Sequence, residues 1–160
     1  MSNQVLFTAK QSLLKVYICR DLLTDYEALS NDIPQAQLIA RDVVIRGCSP
    51  IIPSLYYPQF LNPVDPDHQV VIKTYMLDLM QVCDYFVIDK NASNSPLAAF
   101  QIEAAKNMFP AGAVCESLED FITTVEGFRQ ANVQHIMPIE DAVPAEEPSS
   151  VAGSDEVAND

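Results

Sequence analysis

Cys83-Asp84-Tyr85-Phe86-Val87-Ile88-Asp89, followed by Ser95-Pro96-Leu97-Ala98-Ala99-Phe100-Gln101-Ile102-Glu103-Ala104-Ala105, decides how this chain folds. The first run is short, aromatic and β-branched and lies between two acids, the pattern of a buried strand. Lys90 to Asn94 is a polar loop. Ser95 then offers a side-chain cap and Pro96 fills the first helical position, a combination that starts a helix. We expect that helix to run to about Met108. A buried strand feeding a capped helix is half of a βαβ unit.

The same alternation recurs on both sides. Lys15-Val16-Tyr17-Ile18-Cys19 reads as a first, central strand. From Thr24 to about Arg46, Leu29, Ile33, Ala36, Ala40, Val43 and Val44 recur at helical spacing. Pro34 interrupts that span, so the helix is expected to start near Asp32 as cap, with Pro34 in its first turn and a separate helical turn before it. Gly47 closes it. Ser49 to Pro53 is a second strand between prolines, and Leu55 to Asp67 a Pro- and Tyr-containing loop. His68 to Gln81 is an amphipathic helix with Val71, Tyr75, Leu79 and Val82 about a turn apart. Ala113 to Cys115 is a weak strand. Ser117, with Asp120 three residues on, opens a helix holding Phe121, Val125 and Phe128. Val133 to Ile136 is a last strand.

Strands alternating with helices predict an α/β fold, a Rossmann-like or flavodoxin-like three-layer sandwich with a five-stranded, mainly parallel sheet. Ligands in such sheets bind beyond the carboxyl ends of the strands, where the strand order reverses. The exits of the first strand (Cys19 to Thr24) and third strand (Asp89 to Ser95) form that rim. Arg20, Asp89 and Ser95 are therefore the candidate ligand contacts.

A hydrophobic content of 49% over 160 residues suits one domain with one core. The net charge of −13 is unevenly spread: Glu140, Asp141, Glu146, Glu147, Asp155, Glu156 and Asp160 lie after Met137 with no Lys or Arg among them. We divide the chain into a domain over 1–137 and a disordered acidic tail over 138–160, suited to a basic protein partner. An acidic body without a basic stripe is not a nucleic-acid binder. A nucleoside or nucleotide ligand stays open, because a helix N-terminus holds a phosphate without net positive charge. No apolar run approaches the roughly 18 residues of a membrane span, and Met1 to Lys10 lacks a signal peptide, so a cytoplasmic protein with no membrane partner is expected. Cys19, Cys48, Cys83 and Cys115 have no CxxC spacing, and His68 and His135 stand alone, so neither metal nor cofactor is expected. The four thiols read as buried small hydrophobes.

Three segments in order carry a resemblance: KVYIC (15–19), IIPSLYYPQFLNPVDPD (51–67), and CDYFVID with SPLAAFQIEAAKNMF (83–89 and 95–109). Together they resemble the nucleoside 2-deoxyribosyltransferase superfamily, including its 2'-deoxynucleoside 5'-phosphate N-hydrolase-like branch, over about Lys15 to Met108. The resemblance implies cleavage or transfer of the N-glycosidic bond of nucleosides or their monophosphates. A Glu attacks the anomeric carbon through an oxocarbenium-like transition state. It further implies that Tyr17 orients that nucleophile and that Asp84 helps to hold the substrate. Ser95, six residues before the nucleophile position, would lie where a phosphate sits. A homo-oligomer, whose sites borrow residues from a neighbour, is also implied.

This chain departs from the family pattern S-x-G-x-x-x-E-I-E-A-A at the decisive place. Gln101 holds the nucleophile position and Leu97 that of the glycine. A neutral amide forms no stable glycosyl ester and offers no charge to an oxocarbenium ion. Glu103, two residues on, is turned away by roughly 200°. The loop Arg20-Asp21-Leu22-Leu23-Thr24 lacks a glycine, and Ser54 stands where relatives often have His. Arg20 is expected on an anion or in a surface ion pair with Asp21 or Asp25. The resulting expectation is a divergent relative that binds a nucleoside or nucleotide with weakened or lost glycosidic chemistry. Two alternatives are an active enzyme using Tyr17, Asp84, Ser95 and Glu103 or Asp89 in a rearranged site, and an oligomeric interaction protein working through its acidic tail.

Overall fold

The computed structural model describes residues 13–92 and 95–133. In chain order they form β1 (Lys15–Cys19), α1 (Tyr26–Val44), β2 (Ser49–Ile51), two 3-10 turns (Pro53–Leu55 and Tyr57–Gln59), α2 (Pro66–Gln81), β3 (Tyr85–Ile88), α3 (Pro96–Met108), β4 (Val114–Cys115) and α4 (Leu118–Val133). Among the described residues the sheet has four strands, all parallel, in the order β2-β1-β3-β4. Tyr17 stands opposite Ile51 on one side and Phe86 on the other. The fifth strand expected over Val133 to Ile136 lies outside the described residues except for Val133, which ends α4. The acidic tail lies outside them too.

Alternation along β1 sorts the core into two layers. Val16 and Ile18 meet Ala36 and Val43 of α1 and Phe121 and Val125 of α4. Tyr17 and Cys19 face the other way, with Phe86, against Ile72, Met76 and Met80 of α2 and Leu97, Ala98 and Ala105 of α3. Each large side chain buried in this way contributes about 1.5–3 kcal/mol. The strands are apolar on both faces because helices cover both.

Three expectations about the helices are corrected. The helix through Pro34 is continuous, capped by Asp25, whose carboxylate accepts from Ala28 N–H at 2.9 Å. Asp32 is not a cap; its carboxylate pairs with Arg20, which holds the turn before Pro34 in phase with Ala36 and Val43. Pro34 and Ser30, whose carbonyl it cannot serve, are both exposed, so water reaches the interrupted bond. The second helix starts earlier than His68, at Pro66, because Asp65 caps it and Pro66 takes the first position. Its buried stripe is Ile72, Met76 and Met80, not Val71 and Tyr75, which are exposed. Ser95 caps α3 as expected, accepting from Ala98 N–H at 3.0 Å. Ser117 caps α4 through Asp120 N–H at 3.1 Å. Phe128 of α4 is exposed. No helix among the described residues is long and apolar enough to cross a membrane.

Candidate functional site

Tyr17 and Gln101, the two positions that the resemblance pairs, lie together. Tyr17 points from β1 into the layer under α3, and its hydroxyl donates to Gln101 Oε1 at 2.9 Å. Gln101 Nε2 donates to the Leu97 carbonyl one turn back at 3.2 Å. The Tyr17 ring stacks on Phe86, with centroids 5.2 Å apart and planes 11° from parallel. Both side chains are 0% exposed. Burial, with smaller contributions from Cys19, Tyr56 and Tyr57, holds the Tyr17 phenol protonated well above its ordinary range. The pair is thus closed: each polar atom has a partner and neither side chain meets solvent. Glu103 is exposed on the far side of α3, two residues along the helix.

The rim beyond β1 and β3 is tied up by acids. Ser95 Oγ donates to Asp21 Oδ1 at 2.7 Å while accepting from the amide of Ala98, so the residue implied as a phosphate contact already carries a carboxylate. A negative group at a helix N-terminus is stabilised there, and Asp21 takes the place an anionic ligand would need. Arg20 is not in a surface ion pair, as the sequence suggested. It is 1% exposed, and its guanidinium pairs with Asp89 and with Asp32 rather than with Asp21 or Asp25. A buried guanidinium requires such partners, and the alternation of β1 turns Arg20 toward α1, where Asp32 waits. Asp89 also accepts from Asn91 N–H at 3.3 Å, and Asn91 Nδ2 donates to Gln35 of α1 at 3.3 Å.

Asp84 is not part of this assembly. Its carboxylate accepts from Lys15 N–H at 2.7 Å, and its own N–H donates to the Lys15 carbonyl at 2.8 Å. That ties the first rungs of β1 and β3 together at the amino end of the sheet. Asp89 marks the other end, about 16 Å away at a strand rise of about 3.3 Å per residue. A substrate at the rim is out of reach of Asp84. Ser54 is buried, and its Oγ has no hydrogen-bond partner among the described residues. His68 accepts from Asn62 N–H at 2.9 Å and pins the loop to α2. Among the described residues no three His, Cys, Asp or Glu side chains stand close enough to share a metal ion.

Burial disfavours the thiolate at Cys19 and Cys83. Burial, then Asp21 and Asp89, pushes Cys19 up to about 12, and burial with Asp84 pushes Cys83 up to about 12. At neutral pH both are thiols, not thiolates.

The span that builds this geometry, from the start of β1 to the residue after α3, is also the span of a family match. A domain of unknown function (DUF7768) matches residues 14–110. The chain belongs to that family. The matched span holds β1 to β3 and α1 to α3, and with them Tyr17, Arg20, Asp89, Ser95 and Gln101; β4 and α4 follow it. No curated protein and no solved structure matches the chain.

Sequence reasoning missed two residues. Asp21 entered only as a surface partner for Arg20, and Asp32 only as a cap. A signal for Asp32 did exist: a charged Arg20 directly after a buried strand needs an acid within reach.

Proposed function

We propose that this protein is a disarmed relative of the nucleoside 2-deoxyribosyltransferases that retains ligand binding at the carboxyl ends of its strands and has lost the glycosidic chemistry. The observation that carries this reading is the bond from Tyr17 Oη to Gln101 Oε1. It joins the two positions that the resemblance pairs as orienting phenol and attacking carboxylate, with an amide where the acid belongs. An amide has no charge for an oxocarbenium ion and forms no glycosyl ester. A rearranged enzyme is disfavoured by the same geometry: Glu103 faces solvent, Asp89 is committed to Arg20, and Asp84 is at the wrong end of the sheet.

The strand order β2-β1-β3-β4 supports a flavodoxin-like arrangement, in which a fifth strand would lie beyond β4. With Asp21 on Ser95, the ligand is an uncharged nucleoside rather than a monophosphate. Four unbridged cysteines support a cytoplasmic setting.

The test is chromatographic release of free base from deoxynucleosides and their 5'-monophosphates, with wild type and Gln101→Glu in parallel. Wild type is expected to be silent. Base release by wild type would retire the reading, because the closed amide would not be the catalytic position.

A further inference from the structure

Leu14, Asp84 and Ala113 each stand immediately before a strand, and all three line one groove of about 930 Å³. The groove therefore lies at the amino ends of β1, β3 and β4, the end of the sheet away from Arg20 and Ser95. Met108 and Phe109 at the end of α3 and Phe128 of α4 form its apolar walls. Helix α3 packs on one face of the sheet and α4 on the other, so neither closes this end.

Apolar surface is left uncovered here. Leu13 is 58% exposed, Leu14 41%, Met108 38% and Phe128 55%. Apolar side chains grouped in this way mark a surface that another segment or molecule covers. Asp84 is the charged residue among those lining the groove, and its carboxylate already holds Lys15 N–H. Small-molecule sites converge several polar groups on one point. Walls of Leu, Met and Phe with a single acid suit an apolar stretch of chain instead.

We propose that this groove is the docking site of the chain's own first twelve residues, with Val5, Leu6 and Phe7 seated against Met108, Phe109 and Phe128 and Lys10 beside Asp84. Residues 1–12 lie outside the described residues and join the fold at Leu13 and Leu14, and Leu14 is itself in the groove wall. Phe7 is seven residues before Leu14, a reach of up to about 23 Å at about 3.3 Å per residue. Charge selects this end of the chain over the other. Residues 1–12 hold Lys10 and no Asp or Glu, in a chain of net charge −13. The segment after Val133, where α4 ends, brings Ile136 and Ile139 but runs directly into Glu140 and Asp141, which Asp84 repels. A second copy would have to compete with a segment that its short tether holds at an effective concentration in the millimolar range. The docking is independent of ligand binding at the opposite rim.

The chain has no tryptophan, so Phe7→Trp gives it a single reporter. The experiment is tryptophan fluorescence with acrylamide quenching on the full chain carrying Phe7→Trp, at a series of protein concentrations. It is repeated with Phe128→Lys, Ala111→Lys or Leu38→Lys added. Phe128 and Ala111 are exposed residues of the groove, where a lysine sets bulk and a cation against the segment; Leu38 is exposed on α1, outside the groove. The emission is expected to lie to the blue of that of the urea-unfolded chain, with quenching several-fold weaker, at every concentration. Phe128→Lys and Ala111→Lys are each expected to return both readings to the unfolded values, and Leu38→Lys to leave them unchanged. Circular dichroism checks that each variant is folded, and either groove variant suffices without the other. A tryptophan quenched as readily as in the unfolded chain overturns the proposal. So does shielding that fades on dilution, which would make a second copy the cover, and so does shielding that survives both groove variants.

Discussion

Gln101→Glu exchanges an amide NH₂ for an oxygen, and the closed geometry makes its effect depend on pH. As a neutral acid, Glu at this position keeps both bonds: its carbonyl accepts from Tyr17 and its hydroxyl donates to the Leu97 carbonyl. As a carboxylate it loses the second bond and sets a negative oxygen against that carbonyl, in a site that is 0% exposed. Burial raises a carboxyl by as much as about 3–5 pH units, and the Tyr17 hydroxyl draws it part of the way back. A rise of about two to three from the usual Glu value near 4.3 corresponds to about 3–4 kcal/mol. The folded state then holds the proton more tightly than the unfolded chain, so the variant's stability relative to wild type falls as pH rises above about 4.3, and levels off above the folded value. At neutral pH the loss lowers the melting temperature by roughly 10–15 °C. The assay is urea unfolding followed by circular dichroism between pH 4.5 and 8, with wild type alongside. Stability curves for the two proteins that run parallel across that range would refute the reasoning. They would mean that the carboxylate is solvated and that the face holding Tyr17 and Gln101 is open.

Other substitutions test neighbouring parts of the argument. Tyr17→Phe leaves the Gln101 carbonyl oxygen buried without a donor and is expected to lose about 1–3 kcal/mol in denaturant unfolding; no loss would mean that the 2.9 Å bond is not formed in solution. Asp89→Ala strips Arg20 of one of two acids in a buried site and is expected to cost about 3–5 kcal/mol, whereas Asp84→Ala at the exposed amino end costs less than about 1 kcal/mol; equal effects would contradict the assignment of the two ends. Ser95→Ala removes the α3 cap and the Asp21 contact together, for a loss of about 1–2 kcal/mol. Cys19 titrates near 9 when unfolded and about 12 when folded, so its contribution to stability is complete below pH 9 and is lost as pH climbs toward 12; rapid alkylation of Cys19 in the native protein at pH 8 would show the thiol to be accessible.

The order of strands and helices was legible because hydrophobic period and caps are local. Ser95 with Pro96, Ser117 with Asp120, and Gly47 at φ 69° each act within a few residues of where they stand. Pairs of residues far apart in sequence were legible only where an ordered motif linked them, as with Tyr17 and Gln101, 84 residues apart. The misreadings have a common cause. Pro34 argues locally for a helix start, but the Arg20–Asp32 pair outweighs it, and that pair depends on the direction in which β1 points its last side chain. On α2, Val71 and Tyr75 share the apolar character and spacing of the true core stripe, Ile72, Met76 and Met80, and only the docked sheet distinguishes them. Asp84 entered through the resemblance alone, whereas here its oxygen serves the neighbouring strand's backbone.

Of the four described strands, β1, one of the two inner ones, is synthesised first, and this sets a waiting time. β1 gains one neighbour when Ser49–Ile51 emerges, but its other edge stays bare until Tyr85–Ile88 follows. Arg20 and Asp89 are 69 residues apart, an interval of roughly 3–14 s at a translation rate of about 5–20 residues per second. Asp32, only 12 residues along, reaches Arg20 early. It can neutralise the guanidinium while α1 winds, long before the second acid arrives. The acid that the sequence offered as the cap of α1 thus doubles as an escort for the charge that the finished fold must bury.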